Sequence, residues 1–151
     1  MAFNPSDHDY QQKVSLSFAR QQFMQYIGAR LSRIEPGFCE IQLPHKPELT
    51  QQHGYFHAGI ISTMADNAAG YAAFTLMPAD SSVLSVEFKL NLLAPGDGDR
   101  LISRGRVIKP GRTLTVCRAD VFNVRGEAET LCATALLTMM ALRGRAERQI
   151  P

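Results

Sequence analysis

The stretch from Ala58 to about Met77, AGIISTMADNAAGYAAFTLM, constrains this chain more than any other. Gly54 and His57 mark its start and Pro78 its end, so it reads as one long helix. Ala65, Ala68, Ala69, Gly70, Ala72 and Ala73 spread small side chains round its circumference. Backbones of other elements can therefore approach on every side. A helix that is apolar or small nearly all round is a buried helix. It needs a partner that wraps it.

The residues that follow supply that partner. SVLSVEFKLNLL alternates Leu84, Val86, Phe88, Leu90 and Leu92 against Ser85, Glu87, Lys89 and Asn91, the period of a strand with one apolar face. APGDGD is a turn. Leu101–Lys109 and Leu114–Asn123 flank the turn residues Pro110–Arg112, and Val124–Gly126 turns into a last strand, Glu127–Ala141. Short turns predict antiparallel neighbours.

Upstream, Phe18, Phe23, Met24, Ile27 and Leu31 recur at helical spacing and predict an amphipathic helix from about Asp9 to Leu31. RIEPGFCEIQL turns at Pro36-Gly37 and alternates Cys39, Ile41 and Leu43 with Glu40 and Gln42, a strand or a hairpin with Ser32–Glu35. PHKPELTQQHGYF, with two prolines, reads as a loop. The expectation is one α+β domain over 1–151, an antiparallel sheet wrapped around a long central helix, with 1–9 and 143–151 as loose ends.

A net charge of +2 is too small to argue for nucleic acid or anionic lipid as partner. No apolar run approaches the roughly 20 residues of a membrane span, and MAFNPSDHDYQQKV lacks the pattern of a signal peptide. Three widely spaced cysteines, Cys39, Cys117 and Cys132, fit neither a disulfide framework nor a zinc site. Buried free thiols in a reducing cytoplasm are the expectation, with no metal and no cofactor.

One residue resists the picture of a buried helix. Asp66 has Ser62, Thr63, Ala69 and Gly70 as helical neighbours and no Lys or Arg beside it. A lone helical Asp ordinarily faces water. Within a segment built for burial, a carboxylate costs free energy unless it is hydrogen-bonded or partly wet, which makes it a candidate site residue. His57 stands at the helix start, where free backbone N–H groups and the helix dipole favour a negative atom. Gly54, Ala58 and Gly59 let a substrate approach the backbone there, the geometry of an oxyanion site. His57 also suits a plain helix cap, and the glycines suit a turn. If helix start and Asp66 act together, acyl transfer to water is the chemistry suggested. Nine residues of helix span about 13 Å, too far for one reacting group. The Asp of one subunit would then meet the helix start of another.

QQHGYFHAGIISTMAD resembles the signature of PaaI-type hotdog-fold acyl-CoA thioesterases: an Asn, then Gly, then His-Gly-Gly, then Asp nine residues after the His. His57 and Asp66 have that spacing. SVEFKLNLLAPG and KPGRTLTVCRADVF resemble later strands of the family, and the likeness runs from roughly Pro36 to Leu142. Two positions depart from it: Gln51 stands for the Asn and Ala58 for the middle Gly. The resemblance implies Asp66 as general base, the Ala58 N–H with Gln51 polarising the thioester carbonyl, His57 holding the loop, and Ser85 helping Asp66 to position water. Gly59, Val86, Glu87 and Arg112 are the candidate substrate contacts. It implies an acyl-CoA substrate and a homodimer or homotetramer.

Arg100, Arg104, Arg106, Lys109, Arg112 and Arg118 form a run without an acid. It reads either as an exposed strand face or as attraction for the phosphates of coenzyme A, with Arg112 foremost. Two other functions compete. A hotdog dehydratase acting on 3-hydroxyacyl thioesters would carry His-Phe-Pro where this chain has His57-Ala58-Gly59. A non-catalytic acyl-CoA binding module would not need Asp66.

Overall fold

The computed structural model describes residues 3–147. Two short helices, α1 (Tyr10–Arg20) and α2 (Gln22–Ile27), precede the hairpin β1 (Arg30–Glu35) and β2 (Phe38–Pro44). A single 3-10 turn (Pro47–Leu49) leads to the long helix α3 (Ala58–Phe74), and β3 (Ser82–Leu92), β4 (Arg100–Lys109), β5 (Leu114–Arg125) and β6 (Ala128–Leu142) follow. The strands form one antiparallel sheet in the order β1-β2-β4-β5-β6-β3. The expected α+β architecture is what the chain adopts.

The expected closeness of helix and sheet is met at Gly105 on β4. A Cβ there would lie 2.1 Å from the Ala68 carbonyl oxygen of α3. Ala65, Ala68, Ala69, Ala72 and Ala73 are buried on the helix side of the same contact. Small residues on both elements let the backbones meet, and Ile41, Leu101, Val121, Leu137 and Met139 close the core around them.

Three details differ from the sequence expectation. The first helix is two. Gln21 has extended ψ (97°) and breaks the run, while Gly28 at φ 86° caps α2, so Leu31 lies in β1 instead of ending a helix. The break also shifts the helical phase, which leaves Phe23 about half exposed (52%). Second, β3 and β4 are consecutive but not adjacent. The connection 93–99 runs along the ends of β6 and β5, where Leu93 and Ala94 donate to the Cys132 carbonyl and Asp99 donates to the Val124 carbonyl. Gly98 is glycine because a Cβ would stand 2.2 Å from that Val124 oxygen. β3 thereby reaches the far edge of the sheet.

Third, the expected loose ends are partly tied down. Asp7 pairs with Lys13 at 3.2 Å, Ser6 donates to the Leu76 carbonyl, and Phe3 packs on the core. At the other end Glu147 is bonded to α1. Positions 1–2 and 148–151 lie outside the described residues. The three cysteines are free and buried. Burial pushes the Cys132 thiol up to about 11 and the Cys117 thiol up to about 12.

Candidate active site

The start of α3 is held by its own cap. His57 takes an extended conformation (φ −60°, ψ 140°) as N-cap, and its Nδ1 accepts the Gly59 N–H at 2.8 Å. Ile60 and Ile61 donate to the His57 carbonyl. Gly59's N–H is thus spent on the cap, and among the described residues the Ala58 N–H has no acceptor. Gln51 turns its side-chain oxygen to the His53 N–H, which leaves its amide NH2 as a donor. Gln51 and Ala58 line one hollow of about 380 Å³ with Phe56, Ile61, Leu92 and Leu93. Two hydrogen-bond donors in an apolar mouth are what a developing oxyanion requires. His57 and Gly59 face a different hollow, with Phe23, Glu48 and Thr63.

Two turns on, α3 presents a polar stripe. The Ser62 and Thr63 hydroxyls donate back to the Ala58 and Gly59 carbonyls, and the Asn67 amide donates to the Thr63 carbonyl. Asp66 is half-buried in this stripe, and its partner is off the helix. Ser85 Oγ donates to Asp66 Oδ1 at 2.5 Å, the length of a charge-assisted O–H···O bond. One carboxylate oxygen is oriented, the other has no hydrogen-bond partner among the described residues, and Asp66 and Ser85 line one hollow.

A bulge in β3 creates that contact. Ser85 stands opposite Met139 of β6, but Glu87 stands opposite Thr138, so Val86 is the extra residue. Cross-strand partners share a face. Ser85 therefore points with buried Met139 toward the helix, and Phe88 points with buried Leu137 the same way. The expected unbroken alternation is corrected here. Ser85 lies on the helix side, Leu84 is turned outward with 51% exposure, and Glu87 faces away from Ser85 and accepts from Thr138 Oγ1. Val86, at the bulge, is exposed.

Glu87 and Arg112 are not in the Asp66 hollow, which Ser85, Asn67, Gly70, Tyr71, Gln21 and Glu147 help to line. Arg112 is exposed in the β4–β5 turn, its carbonyl accepting from Arg143. Of the basic run, Arg104 is held by Glu129 and Glu40 and Arg118 by Asp120. Burial would raise the Glu40 carboxyl, but hydrogen bonds from Arg104, Ser32 and Gln42 outweigh it and leave it lowered. Those two arginines belong to the strand surface. Among the described residues no three His, Cys, Asp or Glu side chains gather as a metal site, and no helix is long and apolar enough to cross a membrane.

Gly70, Tyr71, Gln21 and Glu147 were not singled out from sequence. Gly70, four residues after Asp66, was legible by helical spacing alone. Gln21 and Glu147 come from distant parts of the chain and carry no local signal.

The Thioesterase superfamily profile matches residues 53–130, just over half of the chain. A thioesterase family protein of Silicibacter pomeroyi is 51% identical, with 89% of this chain and 99% of that one aligned at a TM-score of 0.88. The PaaI protein of Escherichia coli, from the phenylacetic acid degradation operon, shares the fold at a TM-score of 0.83 and 18% identity, over 93% of this chain and 98% of its own. The medium/long-chain acyl-CoA thioesterase YigI of Escherichia coli K12 is 23% identical over 133 residues, 78% of this chain and 84% of YigI. With its helix wrapped by an antiparallel sheet and the His57-to-Asp66 segment inside the matched region, this chain belongs to the thioesterase superfamily and has the hotdog fold.

Proposed function

We propose that the protein hydrolyses acyl-CoA thioesters, with each active site formed between two copies of the chain. One observation carries the reading. Among the described residues, one helix bears an unpartnered N–H at Ala58, beside the Gln51 amide, and an oriented carboxylate nine residues after its His57 cap, and the two open into separate hollows. They are complementary halves of one hydrolytic site, about 13 Å apart along the axis.

The edge strand β3 is the means of joining them. Leu84, Val86, Phe88 and Leu92 are each about half exposed along the last strand of the sheet. A long apolar edge invites a further strand. Two β3 strands paired antiparallel about a twofold axis near Phe88 would set each Ser85 beside the partner's Leu92. Leu92 lines the hollow of Gln51 and Ala58. The Asp66 of one copy would then face the helix start of the other. A dimer is the smallest active unit, and pairs of dimers give a tetramer.

In such a site Asp66, oriented by Ser85, takes a proton from water as its oxygen attacks the thioester carbon. The carbonyl π electrons move onto oxygen, where the Ala58 N–H and the Gln51 amide stabilise the charge. Collapse re-forms the carbonyl and breaks the C–S bond, and the CoA sulfur leaves and takes up a proton. His57 keeps the helix start in shape by occupying the Gly59 N–H. The test is release of free thiol from a panel of acyl-CoA esters by purified protein, with light scattering on the same sample. Release by a dimer or tetramer is expected. No release from any ester, or full activity in a monomer, would sink the reading.

A further inference from the structure

Asp66 does not stand at the end of its hollow. The space of about 230 Å³ that it shares with Ser85 is lined further along the helix by Gly70 and Tyr71, with Gln21 and Glu147 beside Tyr71. Gly70 is four residues after Asp66, on the same helix face and about 6 Å further along. A Cβ placed on Gly70 meets no atom within 4 Å. Gly105 and Gly98 are different, since the backbone packed against them leaves no room for a side chain. Glycine inside a helix is less favourable than alanine, and no packing around residue 70 demands it. What glycine supplies there is the space.

The far wall is polar and tied together. Ser17 Oγ donates to Glu147 Oε1 at 2.6 Å, and Arg20 donates to Oε2 at 2.5 Å. The Tyr71 hydroxyl accepts from Gln21 Nε2 at 2.8 Å and lies 3.1 Å from Ser17 Oγ. Ser17 has a single proton and gives it to the carboxylate, so Tyr71 gives its own to Ser17. Every contact in the chain Gln21–Tyr71–Ser17–Glu147 is then satisfied. The Ser17–Tyr71 contact is buried and the Glu147 and Gln21 bonds are partly so, and an alkyl chain driven into this wall would break them without replacing them, which is unfavourable. The space before it is modest: a cavity of about 150 Å³ takes up benzene.

We infer that Gly70 and the Glu147 clasp set the acyl group that reaches Asp66: Gly70 opens the hollow to a short acyl chain, and the clasp ends it before a long one. The inference rests on the thioesterase reading above. Gly70 and Glu147 are specificity-determining residues, distinct from the groups that act on the carbonyl.

The test is kcat/KM for acetyl-, butyryl-, hexanoyl-, decanoyl- and palmitoyl-CoA with wild type, Gly70→Ala, Gly70→Leu and Glu147→Ala. Wild type should peak at butyryl- or hexanoyl-CoA and drop beyond it. Gly70→Leu should lower the hexanoyl-to-acetyl ratio by about tenfold or more, the scale on which pockets discriminate methylenes. Gly70→Ala should move the ratio the same way by less. Its methyl enters open space, so it carries the test if the leucine variant does not fold. Glu147→Ala should raise the decanoyl-to-hexanoyl ratio several-fold. A wild-type optimum at long chains, or ratios unmoved by Gly70→Ala and Glu147→Ala, would overturn the inference while leaving the thioesterase reading intact. No turnover of any ester by wild type would overturn both.

Discussion

The first turn of α3 and its third turn belong to one helix, yet their polar groups are managed in opposite ways. At the start, His57 satisfies Gly59, the His57 carbonyl satisfies Ile60 and Ile61, and the Ala58 N–H is left over as a donor. In the middle, the hydroxyls and amide around Asp66 fold back onto the helix, and the carboxylate is left over as an acceptor, gripped from outside by Ser85. One end is suited to gather negative charge and the other to remove a proton. The helix itself keeps them apart. Its rigidity keeps each end well oriented, and under the proposed reading one chain alone does not bring both to one carbonyl.

The largest effect should come from the acceptor end. Asp66→Asn keeps size and shape but removes the base, and kcat should fall by about 10²–10⁴-fold. The donors at Ala58 and Gln51 persist, so a non-hydrolysable CoA thioether should bind with a similar Kd. Full thiol release by this variant, with contaminating esterase excluded, would make Asp66 a structural residue.

The donor end can be broken almost as cleanly. Ala58 is the first helical residue, where proline is favoured because its missing N–H has no helical role. His57 already has the extended conformation that a residue before proline requires. Ala58→Pro should therefore melt near the wild-type temperature and yet lose about 10²–10³-fold in kcat, as when one oxyanion donor is removed. Unchanged kcat would show that the free N–H is incidental.

Mixing the two inactive variants asks whether the ends meet across subunits. After unfolding and refolding together in equal amounts, half of the dimers should be hybrids with one intact and one doubly defective site. About a quarter of wild-type activity should return, by the arithmetic of a twofold interface. No recovery, with hybrids verified by differently tagged chains, would mean that each site is made within one chain.

How much of this was legible follows from the range of each signal. The long helix, the hairpin at Pro36-Gly37 and the strands after it were readable because their periods and turn residues are local. The spacing of His57 and Asp66 along one helix is readable from the residues alone, and their joint action is what the proposed function adds. The phase of β3 was not readable. Its residues alternate without interruption, and the bulge at Val86 arises from pairing with β6, three strands later in the chain. Alternation alone therefore puts Ser85 and Glu87 on one face, and the bulge separates them. The placing of β3 beside β6 was hidden for a related reason: the turn 93–99 is short in sequence but crosses two strand ends in space. The break at Gln21 answers to tertiary contact as well, since its amide bonds Tyr71 of α3.

Ser85→Ala tests the grip on the carboxylate. The base remains but loses its orienting bond, so kcat should fall by about tenfold, the scale of one charge-assisted hydrogen bond. KM should change little, because Ser85 contacts Asp66 and not the bulk of the substrate. A rise in KM at constant kcat would identify Ser85 as a binding group.

The smallest effect is expected far from both ends. Arg112 is exposed in the β4–β5 turn, and nothing in one chain draws it toward the Asp66 hollow. Its claim rests on charge: with Arg104 and Arg118 neutralised by acidic neighbours, Arg112 is, among the described residues, one of the basic side chains of its run without such a neighbour. A phosphate contact on an exposed guanidinium is screened by salt and contributes modestly. Arg112→Ala should raise KM for an acyl-CoA by about two- to fivefold, in keeping with a solvent-exposed ion pair. KM for the matching acyl-pantetheine, which lacks the nucleotide, should stay put, and raising ionic strength should erase the difference between variant and wild type. Equal effects on both substrates would remove Arg112 from coenzyme A recognition. The contrast between the ends of α3 would then account for the chemistry without any contribution from the basic run.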